Sequence, residues 1–152
     1  MLLSELEPAH LGPDKNPAFQ MASIIFRMEQ DLRNVALRKL DITYMHFRVL
    51  QYLLEEDGKS INDIARATSV RPAVLSRVVG QMQARQLVVR RGDDKDHRST
   101  RVYLTEQGRA SYAKAWPSAH QIIEHAFAVL RPQERQALGD ALKKVAQHLC
   151  GV

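Results

Sequence analysis

The chain is poor in the residues that would make it anything but an ordinary folded protein. Six prolines and seven glycines in 152 residues leave no fibrous or low-complexity composition. One cysteine, Cys150, excludes an internal disulfide and predicts a reducing compartment, the cytoplasm. No apolar run reaches the roughly 18 residues that a membrane span requires. The opening MLLSELEPAHLGPDKNP has acidic residues where a secretory leader would have a basic start and an apolar stretch, so it reads as a loose arm over 1–16. Enzyme signatures are missing as well: there is no G-x-S-x-G, no H-E-x-x-H and no glycine-rich phosphate loop. Ser111-Tyr112-Ala113-Lys114 has the form S-x-x-K without the companion motifs of the enzymes that use it. His120 and His125 do not share a helix face well and have no second sulfur nearby, so no metal or cofactor is expected.

What is present is a chain with 45% hydrophobic and 26% charged residues, enough to bury a real core. Its net charge of +5 is concentrated. From Arg71 to Arg101 eight basic residues face three aspartates, which accounts for the whole excess; elsewhere 14 bases and 14 acids cancel. A patch of this kind is an electrostatic footprint for nucleic acid or another anionic surface.

Apolar periodicity predicts a mainly helical fold. From Pro17 to about Lys39, Ile25, Met28, Leu32, Val35 and Ala36 form one stripe, and Phe19, Phe26 and Leu37 form a second. A helix apolar on two faces is either central in a monomer or shared between its own core and a subunit interface. Asp41 and Thr43 offer the next helix start, and Asp57-Gly58 its end. Ser60 caps the short helix INDIARAT, with Asp63 three residues on. Pro72, at a first helical position, opens PAVLSRVVGQMQARQ. Two short helices and a tight turn form a helix-turn-helix. The second buries Leu75, Val78, Val79 and Met82, and turns outward a small-residue face of Ala73, Ser76, Arg77, Gly80 and Ala84. Such a face suits close approach to another surface, as in a major groove.

The segment RRGDDKDHRSTRVYLT follows, with strand character on both sides of a charged tip, and reads as a wing. Lys95, His97, Arg98 and Arg101 are candidates to reach phosphates or a narrow minor groove. The aspartates, Asp94 and Asp96 above all, are expected to accept hydrogen bonds from loop amides and arginines and so hold the tip in shape. Thr105 caps a long helix in which Pro117 predicts a kink, and Arg131-Pro132 separates it from a last helix with Leu138, Leu142, Val145 and Leu149 on one stripe.

From about Phe19 to Leu149 this order resembles the MarR family of winged-helix transcriptional regulators. The wing carries the resemblance: Asp96-His97-Arg98, a short spacer, Val102-Tyr103-Leu104-Thr105, then Gly108. Three positions depart from the family pattern, His97 for an arginine, Lys95 for a proline and Arg131 for a helix-capping Ser or Thr, and the first leaves Arg98 as the surer wing contact. The resemblance implies a homodimer, with 17–40 and 106–152 as a helical dimerisation region and 41–105 as the DNA-binding lobe. It implies a repressor that grips a palindromic operator in double-stranded DNA and releases it on binding a small ligand, often an aromatic acid. The DNA contacts would then come from Arg71, Pro72, Ala73, Ser76, Arg77 and Gln81 besides the wing.

For the ligand, Arg27 and His46 offer a cation and an imidazole for a carboxylate, with Ser23 and Tyr44 close by in sequence. Tyr112 and Trp116 are further candidates, although core packing explains both. Two other readings stay open: a non-specific DNA binder driven by phosphate contacts, and a helical module that meets a protein or an anionic surface.

Overall fold

The computed structural model describes residues 12–96 and 99–150. Residues 13–15 form a single 3-10 turn, and Asn16 then caps the first helix by accepting from the amides of Ala18 and Phe19. Helix α1 spans Pro17–Leu32, passes through a π-helical segment at Arg33–Leu37, and ends as the short α2, Arg38–Leu40. The wide turn inserts extra backbone and rotates everything after it. Before it, Phe19, Ile24, Ile25 and Phe26 are exposed; around and after it, Leu32, Ala36 and Leu37 are buried. Each of the two apolar stripes is therefore divided along the rod: Ile25, Phe19 and Phe26 are exposed toward its start, and Leu32, Ala36 and Leu37 are buried toward its end.

Helix α3 is Tyr44–Glu55, strand β1 Lys59–Ser60, helix α4 Ile61–Thr68 and helix α5 Pro72–Ala84. Strands β2, Val88–Gly92, and β3, Thr100–Leu104, pair antiparallel with Val88 opposite Leu104 and Gly92 opposite Thr100. Strand β1 adds to the other edge of β3, which gives a three-stranded sheet of order β1-β3-β2. That third strand is too short to leave a periodic signal. Helix α6, Glu106–Phe127, runs through Pro117 without interruption, and α7 is Pro132–Cys150. No helix among the described residues is long and apolar enough to cross a membrane.

One core holds the lobe together. Leu50 and Leu53 of α3, Ile64 of α4, Leu75, Val79 and Met82 of α5, Val88 of β2 and Val102 of β3 are all fully buried. Helix α7 has no buried residue among the described residues: Leu138, Leu142, Val145 and Leu149 are exposed, the last to 79%. Glu134 supplies its N-terminal cap, taking the Arg131 amide at 2.8 Å and the Arg131 guanidinium at 2.9 Å.

Three helices close on left-handed residues other than glycine. Asp41, expected to begin a helix, instead ends α2 with φ 53°. Ser69 ends α4 with φ 58°, and Gln86 follows α5 with φ 61°. Each is followed by an amide that reaches back over the turn: Ile42 to the Leu37 carbonyl, Val70 to Ala65 and Leu87 to Met82. These bonds satisfy terminal carbonyls and offset the cost of the αL backbone.

Thr43 begins α3 as a capping box, but with histidine in the usual glutamate place. Its hydroxyl accepts from the His46 amide at 3.1 Å, and His46 Nδ1 accepts from the Thr43 amide at 3.3 Å. Burial pushes the His46 imidazole below its ordinary range, opposed by the Gln81 side chain and aided by Arg85. The neutral ring is the form that accepts. Below about pH 6.5 the unfolded chain takes up a proton that the folded chain resists. Stability is thus expected to fall as pH drops from there toward the depressed folded value, by at most about 1.4 kcal/mol per unit. Urea unfolding at pH 7.5 and 5.5 checks this: His46→Gln, which retains an acceptor, should lessen the pH dependence. Identical dependence in both proteins would assign it to other groups.

Candidate nucleic-acid interface

Helices α4 and α5 are set by their own ends. Ser60 accepts from the Asp63 amide at 3.1 Å and donates its hydroxyl to the Asp63 carboxylate at 2.8 Å, which starts α4 sharply. Donation from the Ser60 hydroxyl, joined by the Ser60 backbone amide, holds the Asp63 carboxyl below its ordinary range. Arg48 of α3 donates to the Thr68 carbonyl at 2.9 Å and fixes the end of α4. The turn 69–71 delivers Pro72 to the first position of α5, and no side chain caps that helix. Its first amides are left for solvent or an anion, beside the exposed Arg71. The sequence marks this site by putting arginine, not Ser or Asp, where a cap belongs.

Pro72, Ala73 and Arg77 are exposed, and Ser76 and Gly80 are half-buried. Neither Arg71 nor Arg77 pairs with an acid among the described residues. Val74 is also exposed on this helix, and the sequence reading did not single it out. Gln81 is exposed as a residue, yet its side chain lies against His46, inward of the face assigned to it.

Arg90 of β2, counted in the basic patch, folds back over α5. Its guanidinium donates to the Ser76 carbonyl and lies 3.4 Å from the Ser76 hydroxyl. It passes over Gly80, where an added Cβ would stand 3.8 Å from Arg90 Nη2. The small residue thus accommodates an internal strut. At that distance alanine fits, so Gly80→Ala is expected to stabilise α5 by about 0.5–1 kcal/mol. A thermal melt shifted upward would agree; a lower melting temperature would mean that Arg90 is displaced.

In the wing Asp93, a residue not picked out from the sequence, organises the loop. Its carboxylate accepts from the Lys95 amide at 3.0 Å and from Arg101 Nε at 2.8 Å, and both hold it below the ordinary carboxylate range. The Asp93 amide donates to the Ser99 carbonyl, and the Ser99 amide to the Asp96 carbonyl, each at 3.0 Å. Asp94, Lys95 and Asp96 are exposed. His97 and Arg98 lie outside the described residues. Arg91 stacks over Tyr103 at 5.2 Å from the ring centre.

The residues suggested for a small ligand fall into three groups and do not form one site: Ser23 with Arg27, Tyr44 with Tyr112 and Trp116 along one stack of rings, and His46 apart. Ser23 and Arg27 line a cavity of about 1020 Å³ between α1, α6 and the start of α7, with Met28, Ile122, His125 and Phe127. Arg27 there donates to Asp31 at 3.3 Å. Tyr44 lines a different cavity of about 620 Å³, with Arg33, Arg38, Asp41 and Arg85. His46 is buried in its capping box and lines neither. Tyr112 and Trp116 belong to a column of stacked rings: Phe47 and Tyr112 have centroids 5.2 Å apart, Tyr112 and Trp116 5.9 Å, Trp116 and His120 5.5 Å.

A helix-turn-helix with an uncapped, arginine-flanked second helix, followed at once by a basic hairpin, defines a winged helix-turn-helix protein. Comparison with known proteins makes this specific. The MarR family model matches residues 40–99. A MarR family transcriptional regulator from Silicibacter pomeroyi superposes with a TM-score of 0.83 at 34% identity, over 94% of this chain and 96% of that one. The transcriptional repressor NicR of Pseudomonas putida is 33% identical over 104 residues, 68% of this chain and 66% of NicR. Bordetella bronchiseptica BpsR, whose DNA binding is regulated by 6-hydroxynicotinic acid, superposes with a TM-score of 0.74 at 28% identity, over 85% of this chain and 97% of that one. The chain belongs to the MarR family of transcriptional regulators.

Proposed function

We propose that the protein is a homodimeric repressor that holds a palindromic operator and lets it go when a small aromatic acid binds. The observation that carries the DNA reading is the bare N-terminus of α5, with Arg71 and Arg77 exposed and unpaired with acids among the described residues, beside a wing in the same basic stretch. Backbone amides and arginines on one short helix match phosphate and base edges together. The contacts would come from Arg71 just before α5, from Pro72, Ala73 and Arg77 of α5, and from Lys95 and Arg98 of the wing.

The apolar surface supports the dimer. Phe19, Ile24 and Phe26 of α1, and the α7 stripe from Leu138 to Leu149, are exposed among the described residues. A second copy would bury both, which makes 17–40 and 106–152 the dimerisation region. The two lobes would then read half-sites about 10 bp apart.

The effector class rests on the ligand of BpsR, a heteroaromatic acid, and on Arg27 in the larger cavity, which Ile24 and Leu138 of the proposed dimer face also line, so that a second copy would help to enclose it. The experiment is a titration of duplex DNA from upstream of this protein's gene against a scrambled duplex, with and without 6-hydroxynicotinic acid and related aromatic acids. Preference for the upstream duplex by about 10³ or more, lost with one acid, is the expected result. Equal affinity for both duplexes would instead support the non-specific binder, and no affinity for either would support a protein or surface partner.

A further inference from the structure

Among the described basic residues of the wing, Arg101 is held by two acceptors at once, one in the wing loop and one outside it. Its Nε donates to Asp93 at 2.8 Å and its Nη1 donates to the Gly58 carbonyl at 2.9 Å. One guanidinium thus joins the wing loop to the turn before β1, 43 residues earlier in the chain.

That turn is itself firmly held. Gly58 has φ +72°, and a Cβ there would stand 2.7 Å from the Tyr103 ring, so glycine is required on both counts. Its amide donates to the Val102 carbonyl at 3.1 Å and to the Asp57 carboxylate at 3.0 Å. Asp57 also accepts from the Leu104 amide at 2.9 Å and from Arg109 of α6 at 3.1 Å. The Asp57-Gly58 turn, the root of β3 and the first turn of α6 form one hydrogen-bonded unit, and Arg101 extends it to the loop.

We propose that Asp93 and Arg101 are positioning residues: they form a clamp that aims the wing at DNA, and neither contacts it. The proposal rests on the reading of this surface as a DNA interface. A carboxylate and a carbonyl in two directions take up two of the five guanidinium N–H donors and fix the plane of the group, which makes Arg101 a strut between the wing and the turn. Asp93, for its part, places a negative charge next to a polyanion. Charge alone makes that unfavourable, so its presence calls for another benefit, and the benefit is a loop whose remaining cations are held in place.

The two accounts predict opposite signs. Removing the aspartate charge makes the patch more positive, and simple electrostatics then predicts tighter binding. The clamp predicts weaker binding. The experiment is a set of operator titrations over a range of salt concentrations with the full chain, Asp93→Asn, Arg101→Gln, Arg101→Lys and the Asp93→Asn/Arg101→Gln double variant. Thermal melts of each establish that it is folded.

Asp93→Asn is expected to weaken binding by about tenfold in spite of its added positive charge. Arg101→Lys should lose as much as Arg101→Gln, because an ammonium is a point donor and does not span two fixed acceptors in a fork. The slope of log K against log salt should be the same for Arg101→Gln as for the unsubstituted protein, and the double variant should be no weaker than the worse single one. Tighter binding by Asp93→Asn would overturn the clamp. So would retention of affinity by Arg101→Lys together with a salt slope reduced by about one in Arg101→Gln, since that is the signature of a phosphate contact. An unsubstituted protein that binds no duplex would instead overturn the DNA reading itself, and the clamp with it.

Discussion

Gly108→Ala is expected to destabilise the protein by about 2–3 kcal/mol, a fall in melting temperature of roughly 5–10 °C for a chain of this size. A Cβ at this position would lie 2.1 Å from the Leu87 carbonyl oxygen and 3.0 Å from its carbon. Both are backbone atoms and have no rotamer to escape into. Nor is Leu87 free to retreat. Its oxygen accepts from the Thr105 amide, and the Thr105 hydroxyl joins the Gln86 carbonyl to the Gly108 amide. The first turn of α6 is thereby stitched to the junction of α5 and β2, with Leu50 of the core on the other side at 3.4 Å. Intrinsic helix propensity works in the other direction by about 1 kcal/mol, so the sign of the measurement is informative. A melting temperature equal to or above that of the unsubstituted protein would mean that α6 can lift from Leu87 at little cost. Gly80 is the internal control, since the same substitution there meets only ordinary contact.

Arg77→Ala is expected to cost operator affinity about 1–3 kcal/mol and to change which bases are preferred. The side chain projects from the exposed face of α5, two positions before the buried Val79, and supports no packing, so the melting temperature should stay where it is. The loss would then be read as binding and not as unfolding. Titration of operators altered one base pair at a time separates two roles. Relaxed discrimination at one or two positions means that Arg77 reads base edges. An equal loss on every sequence, with a shallower salt dependence, means that it touches phosphate alone.

Much of the lobe was legible because its rules are local. Ser60, Thr43 and Thr105 announce helix starts within three residues, and Leu75, Val79 and Met82 give one buried stripe. What escaped depends on contacts distant in sequence or on geometry without a characteristic residue. The π-helical segment at Arg33–Leu37 changes phase where the sequence shows only two overlapping stripes. Asp41, Ser69 and Gln86 occupy left-handed backbone that glycine usually marks. Two-residue β1 exists because β3 is there to pair with it. Among three wing aspartates only the fold singles out Asp93, since its partner Arg101 is a strand residue across the hairpin. The same limit applies to the ligand candidates. Neighbours in sequence, Tyr44 and His46 turn to a cavity and to a helix cap respectively, and Arg27 faces a third place.

The column of rings has a use at the bench. Trp116 is the chain's one tryptophan, and it stands on α6 with Tyr112 between it and Phe47 of α3. The indole therefore stands within a stack of rings that joins α3 to α6, with His120 on its other side. Any sliding of α3 against α6 alters its surroundings and its emission. Such a movement would be visible in real time, in unlabelled protein, from a chromophore that the chain already carries.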